Sequence, residues 1–159
     1  MSSLESITLR EVEPSDLDAF YLHQLDPEAI RLAAFVGENR EDRAVFDAHW
    51  NKILQAPQNT NRTVLAEGQV AGYIACFPQE ENLEVTYWLG REFWGKGVAT
   101  EALQQMLQLV TARPLTARAA TDNFGSIRVL QKCGFKIIGK NQGFANGRGE
   151  DTEEWILRL

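Results

Sequence analysis

The stretch of this chain best equipped for chemistry runs from Trp88 to Leu103, WLGREFWGKGVATEAL, where Gly95, Gly97 and Ala99 alternate ahead of a strongly helical run. A strand that ends in a bare loop and opens a helix presents N–H groups without intrahelical partners, together with the positive end of the helix dipole. Such a terminus suits an anion, above all a phosphate, and small residues let a ligand reach the backbone. A tight strand-to-helix turn with no ligand would satisfy the same spacing. Two phosphate loops are excluded by residue. A dinucleotide fingerprint needs glycine where Thr100 stands, and a Walker loop needs Lys-Ser/Thr after its last glycine, where Val98 follows Gly97.

Other reactive side chains carry less. No Ser or Cys motif accompanies His23 or His49, both fall in helical N-terminal segments, and a structural role is expected for each. Cys76 and Cys133 lie far apart and match no metal-ligand spacing. They read as two reduced, half-buried thiols that pack the core, and no metal is called for.

The elements that must position the glycine loop follow from periodicity. ITLREV reads as a strand and EPSDLDAFYLHQL as a helix capped by Ser15 or Asp16. Asp26-Pro27 interrupts that helix, and LAAFVGENR reads as an apolar segment ending in turn residues. EDRAVFDAHWNKIL is a second amphipathic helix, which ends near Ala56-Pro57. NRTVLAEG and QVAGYIACF form a hairpin turning at Glu67, Gly68 and Gln69, and NLEVTYWLG adds a third antiparallel strand after the polar turn PQEEN. From Val98 to Val110 the apolar residues share one helix face. PLTARAAT then reads as a strand, DNFGSIRVLQKCGF as a capped helix stopped by Gly134, and FKIIGKNQGF with TEEWILRL as a closing hairpin. This order predicts an α+β fold, an α/β sandwich whose mixed, mostly antiparallel sheet is flanked by helices. One strand–helix–strand crossover starts at the glycine loop.

Composition bounds the function. The 159 residues suit one domain, 1–159. A hydrophobic share of 44% with 24% charged residues is that of a globular chain, which argues against disorder. A net charge of −6 and a pI near 5.0 lack the basic footprint of a nucleic-acid binder. The start MSSLESITLREVEPSD lacks the basic and apolar segments of a secretion leader, and no run is long enough to span a bilayer, so the expected compartment is the cytoplasm. A homodimer is compatible with the sequence, which does not specify an oligomeric state.

The segment Trp94-Gly95-Lys96-Gly97-Val98-Ala99 resembles motif A of the GNAT superfamily of acetyl-CoA-dependent N-acetyltransferases, written Arg/Gln-x-x-Gly-x-Gly/Ala. Together with DNFGSIRVLQKCGF it resembles the branch related to ribosomal-protein alanine acetyltransferases, whose pattern is Asn-x-x-Ser-x-x-Val-Leu-x-Lys-x-Gly-Phe. The strand order fits that fold from about residue 7 to the end, although the first 60 residues match in organisation more than in motif. The resemblance implies that the amides of Gly95, Lys96, Gly97, Val98, Ala99 and Thr100 hold the coenzyme A pyrophosphate, and that the strand ending at Leu89 pairs with the pantetheine arm. It also implies that Asn123 and Ser126 line the same arm. Trp94 departs from the motif, standing where many members carry Arg or Gln, so cationic help would come from Arg91, Lys96 or Lys132.

Acetyl transfer to an amine needs a neutral nucleophile, hence a proton acceptor, and donors for the developing oxyanion, for which N–H groups at a local break in the fourth strand would serve. Alternation puts Leu83, Val85, Tyr87 and Leu89 on one face of that strand and Glu84, Thr86 and Trp88 on the other, the expected cleft wall. Glu84 is then the best-placed general base; the competing reading is a structural ion pair with Arg118 on the next strand. The tyrosine that many members use toward the departing thiolate falls at Leu130 here. Ser126 is the remaining candidate near the sulfur, against a plain helix-start or pantetheine contact. Tyr21, Phe35 and Trp50 lie in the region that closes over an acceptor amine, with core packing the safer reading for Trp50. The expected reaction takes acetyl-CoA and an amine, either a protein N-terminus or a small molecule, with no metal, nucleic acid or membrane. Two rival readings are an acyl-CoA-binding regulatory module without turnover and a nucleotide-phosphate binder, the latter weakened by the failed motifs.

Overall fold

A computed structural model describes residues 6–159. The first five residues of the segment read above as lacking a leader lie outside the described residues. The strands are β1 (Ile7–Glu11), β2 (Thr60–Ala66), β3 (Gln69–Gln79), β4 (Asn82–Leu89), β5 (Leu115–Ala120), β6 (Lys136–Ala145) and β7 (Glu150–Arg158). They form one sheet in the order β1-β2-β3-β4-β5-β7-β6, antiparallel throughout except for the β4–β5 pair. The helices are α1 (Asp16–His23), α2 (Pro27–Ala33), α3 (Arg43–Gln55), α4 (Val98–Leu109) and α5 (Phe124–Lys132). This is the expected α+β sandwich. The parallel β4–β5 step is the crossover through α4.

The sheet's main apolar layer packs against α4 and α5. Val98, Ala102, Leu103 and Met106 recur at helical spacing, and their burial sets the face that α4 turns inward. Phe20 and Leu17 of α1, Phe46 and Trp50 of α3, and Tyr73 of β3 make a separate aromatic cluster. Trp50 is buried there, as its helical register suggests, with part of its surface on the cleft.

The N-terminal segment holds a helix that the sequence reading did not anticipate. Asp26-Pro27 does separate two segments, but Pro27 opens α2 rather than preceding a loop. Proline is favoured at the first helical position, and the Asp26 carboxylate accepts from the Glu28 N–H at 3.0 Å as the cap. In α1, Ser15 occupies the cap position without a side-chain bond, while Asp16 accepts from the Glu13 N–H. The far end of α2 is clamped by the β6–β7 turn: Gly147 N–H donates to Ala34 O at 2.8 Å. A Cβ on Gly147 would come within 2.5 Å of Ile30 O, so only glycine permits that approach. Cys76 is buried, Cys133 is half-buried, and both are free thiols. Among the described residues no helix is long and apolar enough to cross a membrane.

Candidate active site

A short 3-10 turn, Arg91–Phe93, leads from β4 into the glycine loop. Gly95 and Gly97 adopt φ of +71° and +80°, the left-handed region that strains any side chain. A Cβ at either position would meet nothing within 4 Å, so the glycines are required by the backbone and the space beside them is open. Gly97 caps α4 and supplies no side-chain acceptor, which leaves the first-turn amides of that helix to a ligand.

Beneath this loop the sheet opens. The parallel pairing of β4 with β5 covers Leu83↔Leu115 and Glu84↔Thr116, and past that point the two strands part. The local break expected within the fourth strand is absent: the register of β4 with β3 runs unbroken from Asn82 to Leu89, and what ends early is its pairing with β5. A cleft of about 1540 Å³ extends from the glycine loop past the parting to Glu84.

Of the residues singled out from the sequence, Glu84, Leu89, Trp94, Gly95, Gly97, Val98, Ala99, Thr100, Asn123 and Ser126 all line this cleft, and Lys96 does not. Trp94 braces the strand end, its indole N–H donating to Leu89 O at 3.0 Å. That bond occupies one lone pair of the carbonyl expected to pair with the ligand. Arg91 lies over the Trp94 ring and is held by both oxygens of Asp26, so it is committed to an ion pair. Lys132 lines the cleft, joined by Arg128 one turn earlier, a cation the sequence reading passed over.

Asn123 caps α5, accepting from the Ser126 N–H at 3.3 Å while its amide nitrogen donates to Leu32 O in α2 at 3.3 Å. Its side chain therefore holds the wall together. The Ser126 hydroxyl lies 3.1 Å from that of Tyr87. Leu130, at the position where a tyrosine was sought, is 1% exposed and belongs to the core. Alternation assigns Tyr87 to the apolar face and gives no sign of its polar contact. The available signal was its hydroxyl on an otherwise aliphatic face, since a buried phenol needs a partner.

At the other end of the cleft Arg118 lies between two carboxylates, with Nε 3.3 Å from Glu84 Oε1 and Nη1 3.2 Å from Glu154 Oε1. The ion pair foreseen for Glu84 is present, and Glu154, on distant β7, was not foreseen. Two carboxylates and one guanidinium leave this floor negative. Burial raises the Glu84 carboxyl above its usual range; the Arg118 charge offsets part of that, and Glu154 adds to it. Phe35 and Trp50 line the cleft, as does His49. Tyr21 does not; its hydroxyl donates to Glu41 O, and Arg43 stacks on its ring. His23 packs against Gly90, where a Cβ would lie 2.7 Å from its Nε2, and burial lowers its pKa against the pull of Glu92. Its carbonyl accepts from the Trp88 indole at 3.3 Å. Its surroundings are those of a packing residue.

A family model described as an acetyltransferase (GNAT) domain matches residues 6–136. The chain is similar to the N-acetyltransferase p20 of Bacillus licheniformis, at 23% identity over 98% of this chain and 93% of that protein. Among solved structures, yncA from Salmonella typhimurium with its cofactor acetyl-CoA superposes at a TM-score of 0.79 and 16% identity, covering 98% of this chain and 94% of the other. RimJ of Mycobacterium smegmatis in complex with CoA-disulfide gives 0.77 at 18% identity, over 96% and 82%. At such identities the structural likeness speaks for the fold, and the family model carries the assignment. With the domain match spanning most of its length, the chain belongs to the GNAT family of acetyltransferases and is an N-acetyltransferase.

Proposed function

We propose that this enzyme moves the acetyl group of acetyl-CoA to a primary amine by direct attack, with Glu84 as the base. The observation that carries the reading is the course of the cleft, which runs without interruption from the open glycine cradle to the negative floor at Glu84. The residues fit the coenzyme. Left-handed glycines beside open space and an uncapped helix start suit a pyrophosphate, and the parted β4 edge suits an extended amide-bearing arm. Lys132 and Arg128 supply cationic charge nearby in place of Arg91. When bound, acetyl-CoA provides an acyl carbon activated by a thiol leaving group.

The chain's own residues do the rest. A protonated amine is drawn to the two carboxylates around Arg118, and one of them must take its proton before attack. Glu84, whose pKa burial raises, is the better acceptor, directly or through a water. Ser126 faces the leaving side. A reaction of acetyl-CoA beside free thiols fits the cytoplasm.

The test is a panel of peptide N-terminal and small-molecule amines assayed by acetyl-CoA-dependent thiol release, with melting temperatures measured beside acetyl-CoA, ATP and NAD. Stabilisation by acetyl-CoA alone, with turnover of at least one amine class, is the expected result. Because Leu130 replaces the usual tyrosine, a regulatory acyl-CoA-binding module is the second reading; binding without turnover across the panel would favour it.

A further inference from the structure

Tyr87 is the group on the cleft wall that the acetyl-transfer reading leaves without a task. It stands on β4, its half-buried ring packed against the main core and its hydroxyl 3.1 Å from Ser126 Oγ at the start of α5. Either oxygen could donate in such a pair, and acidity decides the direction. A phenol is a much stronger acid than an aliphatic alcohol, so Tyr87 donates and Ser126 accepts. Burial keeps the phenol protonated, with a pKa of about 12, so this donor persists over every working pH. With one lone pair taken from behind, the Ser126 proton is free to turn into the cleft that Ser126 lines. Two further features favour negative charge at that spot. Ser126 lies in the first turn of α5, at its positive end. A small cavity of about 50 Å³ behind the pair is bordered by Arg118.

We infer that Tyr87 is a positioning residue that turns the Ser126 hydroxyl proton toward the sulfur of coenzyme A, so that the two hydroxyls in series stabilise the thiolate released by acyl transfer. This rests on the acetyl-CoA reading and deepens it. In the reaction the amine nitrogen bonds to the acyl carbon and the carbon–sulfur bond breaks, its electron pair staying on sulfur. The ammonium proton leaves through Glu84 to solvent before attack, and the second N–H proton, lost as the amide forms, goes to the same carboxylate. Ser126 gives the sulfur a hydrogen bond without surrendering its proton, and the thiolate is protonated on reaching solvent. No group need be as acidic as the thiol, which accounts for a site that works with leucine at position 130.

The inference can be tested with coenzyme A alone, so it does not depend on knowing the acceptor. A thiolate absorbs in the ultraviolet where a thiol does not, and a pH titration of the bound coenzyme reads the sulfur directly. The sulfur bound to the wild-type protein should titrate about 1–2 pH units below that of free coenzyme, the range of a hydrogen bond to a charged group. Ser126→Ala should abolish most of that shift, and Tyr87→Phe about half of it. The double variant should match Ser126→Ala, because Tyr87 acts through the serine. A ring-fluorinated tyrosine at position 87 keeps the packing and strengthens the donor, so it should move the sulfur further down. Melting temperatures on the same samples establish that each protein is folded. Unchanged sulfur titration in the folded Tyr87→Phe or fluorotyrosine protein, or strictly additive effects in the double variant, would overturn the inference. Absence of coenzyme binding by the wild-type protein would overturn the acetyl-CoA reading and this inference together.

Discussion

Residues 82–132, which carry β4, α4, β5 and α5, owe their shape to rules that act over a few positions, whereas residues 16–55, which carry α1 to α3, are held by contacts that span much of the chain. On the first side two left-handed glycines, an uncapped helix start and the Asn123 cap fix the cleft wall. On the second, Asp16 is bound by Arg10 and by Thr63, 47 positions away; Trp88 holds His23 across 65 positions; and Arg148 reaches the carbonyl of Arg31 across 117. The wall proposed to take the coenzyme is locally encoded, and the wall proposed to face the acceptor is assembled from distant parts. Damage to the first should therefore reach function before stability, and damage to the second should reach stability before function.

The sharpest division is expected at Glu84. Glu84→Gln should lower turnover by about 10²–10⁴-fold while leaving acetyl-CoA affinity unchanged, since the loop proposed to hold the coenzyme lies at the other end of the cleft. Because burial raises this carboxyl, the acid limb of the wild-type kcat/KM profile should lie above the ordinary carboxylate range. In the variant that limb should vanish, with partial recovery at high pH where the free amine is abundant. Steady-state kinetics across pH and a melting curve on the same protein check both parts. A folded variant that turns over normally but melts lower would leave Glu84 only its ion pair with Arg118.

Gly97→Val comes next. A branched side chain at φ +80° is strained by about 1–3 kcal/mol, and it fills the open space beside the amides. Coenzyme affinity should fall by about 100-fold, read by calorimetry, against a melting decrease of about 2–12 °C. Equal affinity in the two proteins would place the phosphate elsewhere.

Asp16→Asn probes the other wall and should reverse the pattern. Asp16 is 3% exposed; burial raises its pKa, and the Arg10 guanidinium, the Glu13 amide and the Thr63 hydroxyl together bring it below the usual value. A carboxylate so depressed stabilises the fold above its unfolded pKa, and that contribution is lost as pH falls through the folded one. The variant should lose about 2–4 kcal/mol at neutral pH, the gap to wild type closing as the pH drops through the acid range. Its turnover per folded molecule should stay within about twofold. Denaturant melts at several pH values decide this, and a pH-independent gap would mean that packing rather than charge holds α1.

The same division explains what could be read in advance. The glycine loop, the face of α4 and the Asn123 cap were legible because each depends on neighbours in sequence. The seven-residue α2 was not, because its helix begins at a proline and is completed by the distant β6–β7 turn. Glu154 was missed because strand pairing alone brings it to Arg118, and Tyr87 because alternation marks its ring and says nothing of where its hydroxyl ends. The pairing of Glu84 with Arg118 was anticipated, being set by adjacent strands. Lys96 shows the converse: motif spacing places it within the loop, but only the loop's path decides that it stands off the cleft.

The parting of β4 from β5 leaves Val85 to Leu89 without a strand neighbour on that side. An open strand edge ordinarily invites a second polypeptide and is a route to aggregation, which proteins blunt with charge, proline or a covering element. Here the opening lies inside the sheet, five residues long and walled by the starts of α4 and α5. A foreign strand carries side chains on both faces and needs a broad approach, whereas an unbranched arm one chain wide needs neither. On the proposed reading, the gap offers its hydrogen-bonding template to a ligand one chain wide rather than to a second strand.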